Sequence, residues 1–345
     1  MKAYKNESLC FDDILMVPRS SGVESRKDVD LSMVLGVIRP IHLYLPVIAA
    51  PMDTVCESLM AAELAKYGGL GIIHRYMPAE KQAQQVITVA KQNLVVGAAV
   101  PASCHNKSSI PLVQSLIFSG AKVILVDTAN GHSIMATNTV REIRRAFPEI
   151  HIMAGNVATW DGFLALSLAG ADSVRVGIGG GGVCTTRSVT GHGVPTLASI
   201  MEIYEMQERL DLPTSVIADG GIRNSGDAVK AFAAGADAVM LGSLLAGHTE
   251  SPGVIVNKGQ NKFKELRGMA SKEAQVKWRG HASVVEGAST LVPFKGPVGP
   301  TLDQLRGGIS SGCSYSGVHA LSDIQLFAEY TKVTPNSLKE SGVHG

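Results

Sequence analysis

Residues 215–243 read "SVIADGGIRNSGDAVKAFAAGADAVMLGS", and this stretch decides the fold. It begins with an apolar run, "SVIADGG" (215–221), and it ends with another, "AVMLGS" (238–243). Continuous apolar runs that end in Gly, Pro or Asp are typical of buried parallel strands. Between them, "GDAVKAFAAGA" (226–236) has apolar positions three and four residues apart and a glycine near its end, which indicates a helix. The stretch predicts one strand–helix–strand unit of an α/β protein.

The same unit recurs along the chain. Segments typical of helices, such as "SLMAAELAKYG" (58–68), separate the apolar runs. The starts of successive runs are about 22 to 30 residues apart, except for a gap of 42 residues before residue 215. Eight such units in a row predict a (β/α)₈ TIM barrel, formed as a single domain by residues 1–345. The six earlier runs are "PVIAAP" (46–51), "LGIIH" (70–74), "VVGAAV" (95–100), "KVILVD" (122–127), "HIMAGN" (151–156) and "SVRVGI" (173–178).

Composition and charge limit the class of protein. With 345 residues, 45% of them hydrophobic and 18% charged, the chain has the balance expected of a globular barrel. Because the formal net charge is only +1 and no apolar run is long enough to span a membrane, we expect neither a nucleic-acid nor a membrane partner. The N-terminus lacks the apolar core of a signal peptide, and the cysteines lack metal-ligand spacing, so we expect free thiols and a cytoplasmic location. The five cysteines are Cys10, Cys56, Cys104, Cys184 and Cys313.

Polar residues follow nearly every predicted strand, at the carboxyl ends where barrel enzymes carry their active sites. The ends of the last two strands, Gly220-Gly221 and Gly242-Ser243, are typical of a phosphate site built from backbone N–H groups, although these glycines could also serve only as turns. Asp219 would repel a phosphate, but it could accept hydrogen bonds from two ribose hydroxyls. A nucleoside 5′-monophosphate satisfies both requirements. The other strand ends carry Met52-Asp53-Thr54, His74-Arg75, "DTANGH" (127–132) and Gly155-Asn156.

The 42-residue gap contains the stretch "GIGGGGVCTTR" (177–187). Its glycines let the backbone turn tightly and approach a ligand closely. A thiolate of Cys184 beside a bound nucleotide could attack an electrophilic carbon of the base, although the thiol could also be a bystander. The carbonyl groups of the glycine loop could bind a monovalent cation. These features predict a catalytic Cys loop over residues 178–197.

Residues 257–297 form a long excursion after the last predicted strand. The segment is rich in Gly, Lys and Ser and shows no strong periodicity, which favours a mobile flap over the mouth of the barrel. Glu286 lies in this flap, where a single glutamate is by default a solvated side chain.

Taken together, the motifs of this sequence resemble the family of IMP dehydrogenases and GMP reductases. The resemblance runs through nearly the whole chain, and its motifs together are highly specific. The motifs are "LCFDDILMVP" (9–18), "APMDTV" (50–55), "GGLGIIHR" (68–75), "VDTANGHS" (126–133), "AGNVAT" (154–159), "CTTR" (184–187), "IADGGIRNSGD" (217–227), "MLGSLLAGHTESPG" (240–253) and "SSGCSYSG" (310–317).

The resemblance implies roles for these residues. Cys184 would form a covalent bond to C2 of the purine, with Thr186 and Glu286 as the acid–base pair. NADPH would be the cofactor, K⁺ a bound ion, GMP or IMP the substrate, and the protein a homotetramer. The substrate-binding residues would be Asp219, Gly220, Gly221, Gly242, Ser243 and Met269. The cofactor-binding residues would be Asp127, Ala129, His132 and Asn156. The carbonyl groups of Gly179, Gly181 and Cys184 would bind K⁺.

Several features favour a GMP reductase, which would convert GMP to IMP and ammonia with NADPH. The flap sequence "WRGHASVVEGASTLVP" (278–293) lacks the Arg-Tyr pair with which dehydrogenases of this family activate water. It places Glu286 where the reductases carry a catalytic glutamate. Only about 20 residues join the second and third strands, so the CBS modules that dehydrogenases usually insert there are absent. The segment "CSYSG" (313–317) is also closer to the reductase pattern.

Other features favour the alternative, an IMP dehydrogenase that lacks CBS modules and oxidises IMP to XMP with NAD. The segments "APMDTVCESLMA" (50–61) and "GGLGIIHRYMPAEKQAQQV" (68–86) are more typical of dehydrogenases. The chain also departs from the family pattern. Gly180 and Gly182 replace the usual proline and serine of the Cys loop, which removes one expected phosphate contact, and the usual flap arginine of the reductases falls near Ser283. A third hypothesis is a non-catalytic nucleotide-binding barrel, against which the intact Cys184, Thr186 and Glu286 argue.

Overall fold

A computed structural model describes residues 7–103 and 107–341, and within them eight parallel strands form a closed barrel. Neighbours in the chain are neighbours in the barrel, and the last strand pairs with the first, with Met240 opposite Ile48. All eight predicted strands are present, which confirms the (β/α)₈ TIM barrel. The strands are β1 (Val47–Ala49), β2 (Leu70–Ile73), β3 (Val96–Val100), β4 (Val123–Asp127), β5 (His151–Val157), β6 (Ser173–Val176), β7 (Ser215–Asp219) and β8 (Ala238–Leu241).

A helix of the outer layer follows each barrel strand. Side-chain oxygens begin several of them, since Ser133, Thr159 and Asn224 each accept a hydrogen bond from a free backbone N–H of the first turn. The helices are α1 (Ser58–Lys66), α2 (Ala79–Ala90), α3 (Ile110–Phe118), α4 (Ile134–Ala146), α5 (Trp160–Ala169), α6 (Thr196–Leu210), α7 (Ser225–Ala233) and α8 (Gly299–Tyr315).

The core has two layers because successive side chains of a strand point to opposite faces. In β4, Val123 and Leu125 pack in the barrel interior, whereas Ile124 and Val126 pack against the helices. All four are fully buried. Strands buried on both faces have no polar side to show, which is why the sequence contains continuous apolar runs instead of an alternating pattern.

Short elements complete the fold. An antiparallel hairpin, Met33–Leu35 with Ile41–Leu43, packs Leu35 and Leu43 into the interior cluster and so covers the amino-terminal end of the barrel. Ile14–Met16 pairs with Tyr330–Lys332. The remaining helical segments are Phe11–Asp13, Arg26–Asp28, Thr186–Thr190, Leu321–Asp323, Ile324–Phe327 and Pro335–Glu340.

The flap has regular structure that its sequence pattern did not predict. It contains an antiparallel sheet of β9 (Val256–Lys258), β10 (Asn261–Arg267) and β11 (Ser289–Pro293), and a helix, Lys272–Arg279, which we call the flap helix. The alternation of apolar and polar residues that marks a half-buried strand is missing from the sequence of β10, because two of its buried residues, Lys264 and Arg267, are charged. The mobility of the flap stays a prediction.

Two expectations concern the chain as a whole. Among the described helices, none is both long and apolar enough to cross a membrane. The described cysteines Cys10, Cys56, Cys184 and Cys313 are free thiols, as predicted, and Cys104 lies outside the described residues.

Candidate active site

A cavity of about 560 Å³ lies at the carboxyl ends of the barrel strands, a size that suits a nucleotide-sized ligand. It brings together residues that the sequence predicted from six separate segments. Those that line it are Cys184, Thr186, Glu286, Asp219, Gly220, Gly221, Gly242, Ser243, Met269, Asp127, Ala129, Asn156, Gly179 and Gly181.

His132 is the predicted site residue that does not line this cavity. Its side chain is exposed, and its backbone N–H bonds to the side chain of Asn130 at 3.1 Å in the turn before α4. The Cβ of His132 lies beside Gly162, in the first turn of α5, where a Cβ built on Gly162 would be 3.1 Å away. A cofactor role for His132 therefore stays a prediction without support from the cavity.

Cys184, Thr186 and Glu286 form a continuous hydrogen-bonded chain, which we call the relay. The Cys184 thiol donates to the Thr186 hydroxyl, with Sγ and Oγ1 3.2 Å apart. The Thr186 hydroxyl donates in turn to the Glu286 carboxylate, with Oγ1 and Oε2 3.0 Å apart. A proton can thus pass from the sulfur to the carboxylate through one hydroxyl.

Backbone hydrogen bonds hold the flap part of the relay against the Cys loop. The N–H of Thr185 donates to the carbonyl of Glu286 at 3.0 Å, and the N–H of Ala288 donates to the carbonyl of Val183 at 2.9 Å. On its other side, the N–H of Glu286 donates to the carbonyl of Ala270 at 3.1 Å. Glu286 is therefore fixed at the site and is not a solvated flap side chain.

Asp219 lies at the end of β7 and is bonded on one oxygen. Its Oδ2 accepts from the Arg175 side chain at 2.8 and 3.1 Å and from the Asn156 amide at 2.7 Å. Among the described residues these donors all reach Oδ2, which leaves Oδ1 for a ligand. The geometry suits a carboxylate that accepts hydrogen bonds from ribose hydroxyls.

Asp127, at the end of β4, lies between two arginines. Its carboxylate accepts from Arg75 Nε at 3.0 Å and from Arg175 Nη1 at 2.8 Å. Burial by itself would raise the pKa of Asp127, but the positive charges of Arg75 and Arg175 outweigh it and hold the pKa below its usual range. Arg175 thus connects the candidate cofactor carboxylate, Asp127, to the candidate ribose carboxylate, Asp219.

Arg175 is the site residue that sequence reasoning missed. It lies within β6, and the signal available was an arginine inside the otherwise apolar run "SVRVGI" (173–178). Tyr76 was also missed; it lines the cavity, and the guanidinium of Arg75, which the sequence placed at a strand end, stacks over its ring, 4.5 Å from the centroid. Burial raises the pKa of Tyr76 to about 12, so its phenol is neutral near pH 7.

The predicted phosphate site is built from strand-end glycines whose conformation other residues rarely adopt. Gly220 and Gly221 have φ values of +92° and +87°. A Cβ on Gly220 would lie 3.0 Å from the backbone nitrogen of Gly181, so the two loops approach each other closely. A Cβ on Gly182 would lie 3.8 Å from the Ser243 hydroxyl oxygen, which leaves room for the serine that is usual at this position.

The Cys loop offers oxygen ligands for a monovalent cation. The carbonyl of Gly181 accepts the Cys184 N–H at 3.0 Å and retains a second lone pair. Beside Gly180, the Thr196 hydroxyl is buried and has no partner in the described part of the chain, an arrangement that fits a bound ion or water. Within that part, no three His, Cys, Asp or Glu side chains are grouped to hold a metal, so a cation here would depend on carbonyl and hydroxyl oxygens.

The comparisons with known proteins agree with this fold. The chain matches the family model described as "IMP dehydrogenase / GMP reductase domain" over residues 8–344. Members of this family are barrel oxidoreductases that act on purine nucleotides with a nicotinamide cofactor. The chain therefore belongs to the IMP dehydrogenase / GMP reductase family.

Relatives with either activity in their names are similar to this chain. An inosine-5′-monophosphate dehydrogenase of Borreliella burgdorferi is 35% identical, over 98% of this chain and 97% of the relative. A GMP reductase of Leishmania major is 30% identical, also over 98% and 97%. The crystal structure of a GMP reductase from Trypanosoma brucei in complex with guanosine 5′-monophosphate has a TM-score of 0.92 and 29% identity, covering 99% of this chain and 98% of that one.

The missing CBS insert does not distinguish the two activities. Between β2 and β3 the chain contains α2 and its turns. The alignment with the L. major reductase spans 483 positions, against 345 residues in this chain, so that reductase has many residues without a counterpart here. The alignment with a dehydrogenase of Nitrosopumilus maritimus, 32% identical, similarly spans 471 positions. Relatives named as reductases and relatives named as dehydrogenases thus both contain residues that this chain lacks.

Proposed function

We propose that this protein is a GMP reductase, which converts GMP to IMP and ammonia with NADPH. The observation that carries the proposal is the relay of Cys184, Thr186 and Glu286. Two successive hydrogen bonds join its groups, the first from thiol to hydroxyl and the second from hydroxyl to carboxylate. Reductive deamination needs a nucleophile for C2 of the purine and an acid for the amino group that leaves. The relay contains both groups and a path for a proton between them.

The relay accounts for the proton balance of deamination. The thiol proton of Cys184 passes through the Thr186 hydroxyl to the Glu286 carboxylate, and the thiolate then adds to C2 of the base. Glu286 returns the proton to the amino group, so the C2–N bond breaks and ammonia leaves while the C2–S bond remains. Cleavage of the C2–S bond after reduction at C2 regenerates the thiolate and releases IMP.

The cavity residues at the ends of β4 and β5 fit a nicotinamide cofactor. Asp127, Ala129 and Asn156 line the cavity, and the Asn156 amide is already oriented by the carbonyl of Gly177 at 2.8 Å. When bound, the cofactor supplies the hydride that reduces C2. Asp127, kept ionised by its two arginines, would orient it through hydrogen bonds. From the family resemblance we also propose a homotetramer located in the cytoplasm.

The proposal is tested by the direction of the reaction. The purified protein should oxidise NADPH in the presence of GMP, seen as a loss of absorbance at 340 nm with formation of IMP and ammonia. NADH in place of NADPH measures the cofactor preference. A protein that instead reduces NAD⁺ steadily with IMP, and forms XMP, is not a GMP reductase.

The second candidate function is IMP dehydrogenase. It is favoured by the identities, since the B. burgdorferi dehydrogenase is 35% identical and the L. major reductase is 30% identical. It also requires a group that activates water, and the flap residues 278–293 contain no Arg-Tyr pair for that task. The same assay at 340 nm with IMP and NAD⁺ measures this activity directly.

Replacement of Asp219 by asparagine should weaken nucleotide binding by at least about tenfold. A charge-assisted hydrogen bond contributes about 1.5–3 kcal/mol, and tenfold in affinity corresponds to about 1.4 kcal/mol. The loss should be specific to the ribose, so the variant should no longer prefer GMP to 2′-deoxy-GMP in equilibrium binding. A variant that still discriminates between these nucleotides as the native protein does would show that Asp219 does not bind the ribose.

Potassium should raise the activity strongly relative to sodium or choline at the same ionic strength. Gly180 and Gly182 leave the Cys loop without the side chains that are usual there, so an ion bound by Gly179, Gly181 and Cys184 would be needed to hold Cys184 in place. The initial rate measured in KCl, NaCl and choline chloride checks this. Equal rates in KCl and choline chloride would exclude an activating ion.

A further inference from the structure

A buried ion pair joins the end of the first barrel strand to the flap. Arg267, the last residue of β10, bonds Asp53 through Nε to Oδ1 at 3.0 Å and through Nη2 to Oδ2. The side chains of Asp53 and Arg267 are only 5% and 8% exposed. Burial by itself would raise the pKa of Asp53, but the bonds from Arg267 outweigh it and keep the pKa low, so the pair is ionised. We call Asp53 and Arg267 the anchor pair.

The anchor pair fixes a turn that reaches the relay. The backbone N–H of Asp53 lies 3.4 Å from the sulfur of Met269, and the N–H of Gly268 donates to the carbonyl of Ala288 at 3.0 Å. The carbonyl of Ala270 accepts the N–H of Glu286 at 3.1 Å. The turn 268–270 therefore carries the cavity-lining Met269 and supports the backbone of Glu286.

The middle of β10 has its own attachment to the barrel, at Lys264. The buried ammonium of Lys264 donates to the carbonyl of His248 at 2.9 Å and also to that of Ser251. Loss of the anchor pair would consequently leave the flap sheet attached. The part released would be the turn 268–270, together with the residues that depend on it.

We infer that Asp53 and Arg267 are positioning residues, which hold Glu286 in the relay and Met269 at the substrate cavity by fixing the turn 268–270. The inference rests on the proposed function only for the role of Glu286 as an acid. The positioning role itself does not depend on the direction of the reaction. It also gives a function to the polar end of β1, which the proposed chemistry does not use.

The variant Arg267→Lys tests the inference, because lysine keeps the charge but cannot bond both carboxylate oxygens of Asp53. Hydrogen–deuterium exchange followed by mass spectrometry should show the amides of Thr185, Glu286 and Ala288 exchanging about tenfold faster or more. The matched control is Arg144→Lys, which weakens another arginine–aspartate pair outside the cavity, the half-buried Arg144 with the buried Asp172. In the control the same amides should exchange within about twofold of the native rate.

A second variant protects the test against misfolding. Asp53→Asn combined with Arg267→Gln removes both charges, so no unpaired charge is buried, and it should give the same faster exchange. In both variants kcat should fall about tenfold, in whichever direction the native enzyme turns over, because a small misplacement of Glu286 impairs proton transfer. The KM for the cofactor should stay within about twofold of the native value. Unchanged exchange at the three amides, or an equal increase in Arg144→Lys, would overturn the inference. Absence of GMP reduction in the native protein would overturn only the proposed function.

Discussion

Cys184→Ser should lower kcat for GMP reduction by about 10³-fold or more, the scale on which loss of a nucleophile acts in covalent enzymes. A serine hydroxyl can occupy the place of the thiol next to Thr186, but it ionises far less readily near neutral pH and is a much weaker nucleophile. Binding of GMP should change by only a few-fold, because it depends on Asp219 and the glycine-rich strand ends. The absorbance at 340 nm gives kcat, and equilibrium dialysis with GMP gives the dissociation constant.

The chain offers a matched control for this substitution. Cys10 is a free, partly buried thiol that does not line the cavity, so Cys10→Ser should keep both turnover and GMP affinity near the native values. Near-native turnover by Cys184→Ser would exclude Cys184 as the nucleophile. An equal loss in the two variants would point to a general requirement for thiols and would also contradict the assignment.

The barrel could be predicted from the sequence because its signal is local and repeated. Each strand is an apolar run buried on both faces, such as "KVILVD" (122–127), and each is followed by a helix of ordinary length. The strand-end residues Asp127, Asn156 and Asp219 could be placed at one site for the same reason, since the carboxyl ends of parallel strands meet at one end of a barrel.

The structure of the flap could not be predicted from local pattern. In β10 the buried positions include Lys264 and Arg267. From the sequence alone, charged residues at these positions predict an exposed segment. Each is buried because its partner, the carbonyl of His248 for one and the carboxylate of Asp53 for the other, lies in a distant part of the chain. No window of sequence around β10 contains these partners.

The same limit applies to the electrostatics of the site. Asp127 and Asp219 were each identifiable as polar strand ends, yet what fixes them is Arg175 from a third strand, which bonds both carboxylates. For the relay, proximity of Cys184 and Thr186 is given by the sequence, but Glu286 is 100 residues beyond Thr186 and only the family spacing indicated it. Its 3.0 Å contact with Thr186 depends on backbone bonds between the flap and the Cys loop.

Glu286→Gln should lower the rate of GMP reduction by about 10²-fold or more, the usual scale of general acid–base catalysis. Glutamine is nearly isosteric and can still accept the hydrogen bond of Thr186, but it cannot take up a proton and return it to the leaving amino group. Hydride transfer between IMP and NADP⁺ has no leaving amino group to protonate and needs the relay only to deprotonate Cys184, so this half of the reaction should be affected less. GMP reduction is measured in the steady state, and hydride transfer is measured as a burst of absorbance at 340 nm when IMP is mixed with NADP⁺.

The split between the two half-reactions is what identifies a reductase that uses Glu286 as its acid. The matched control is Glu273→Gln, an exposed glutamate in the first turn of the flap helix, which should leave both half-reactions near the native rate. If Glu286→Gln slowed the burst and the deamination equally, Glu286 would act on the thiol, by placing or deprotonating it, and would not be the acid for the leaving amino group. If the native protein formed XMP steadily from IMP and NAD⁺ and consumed no NADPH with GMP, a water-activating group outside the relay would be required. The barrel and the role of Cys184 would then stand, and the proposed direction of the reaction would be wrong.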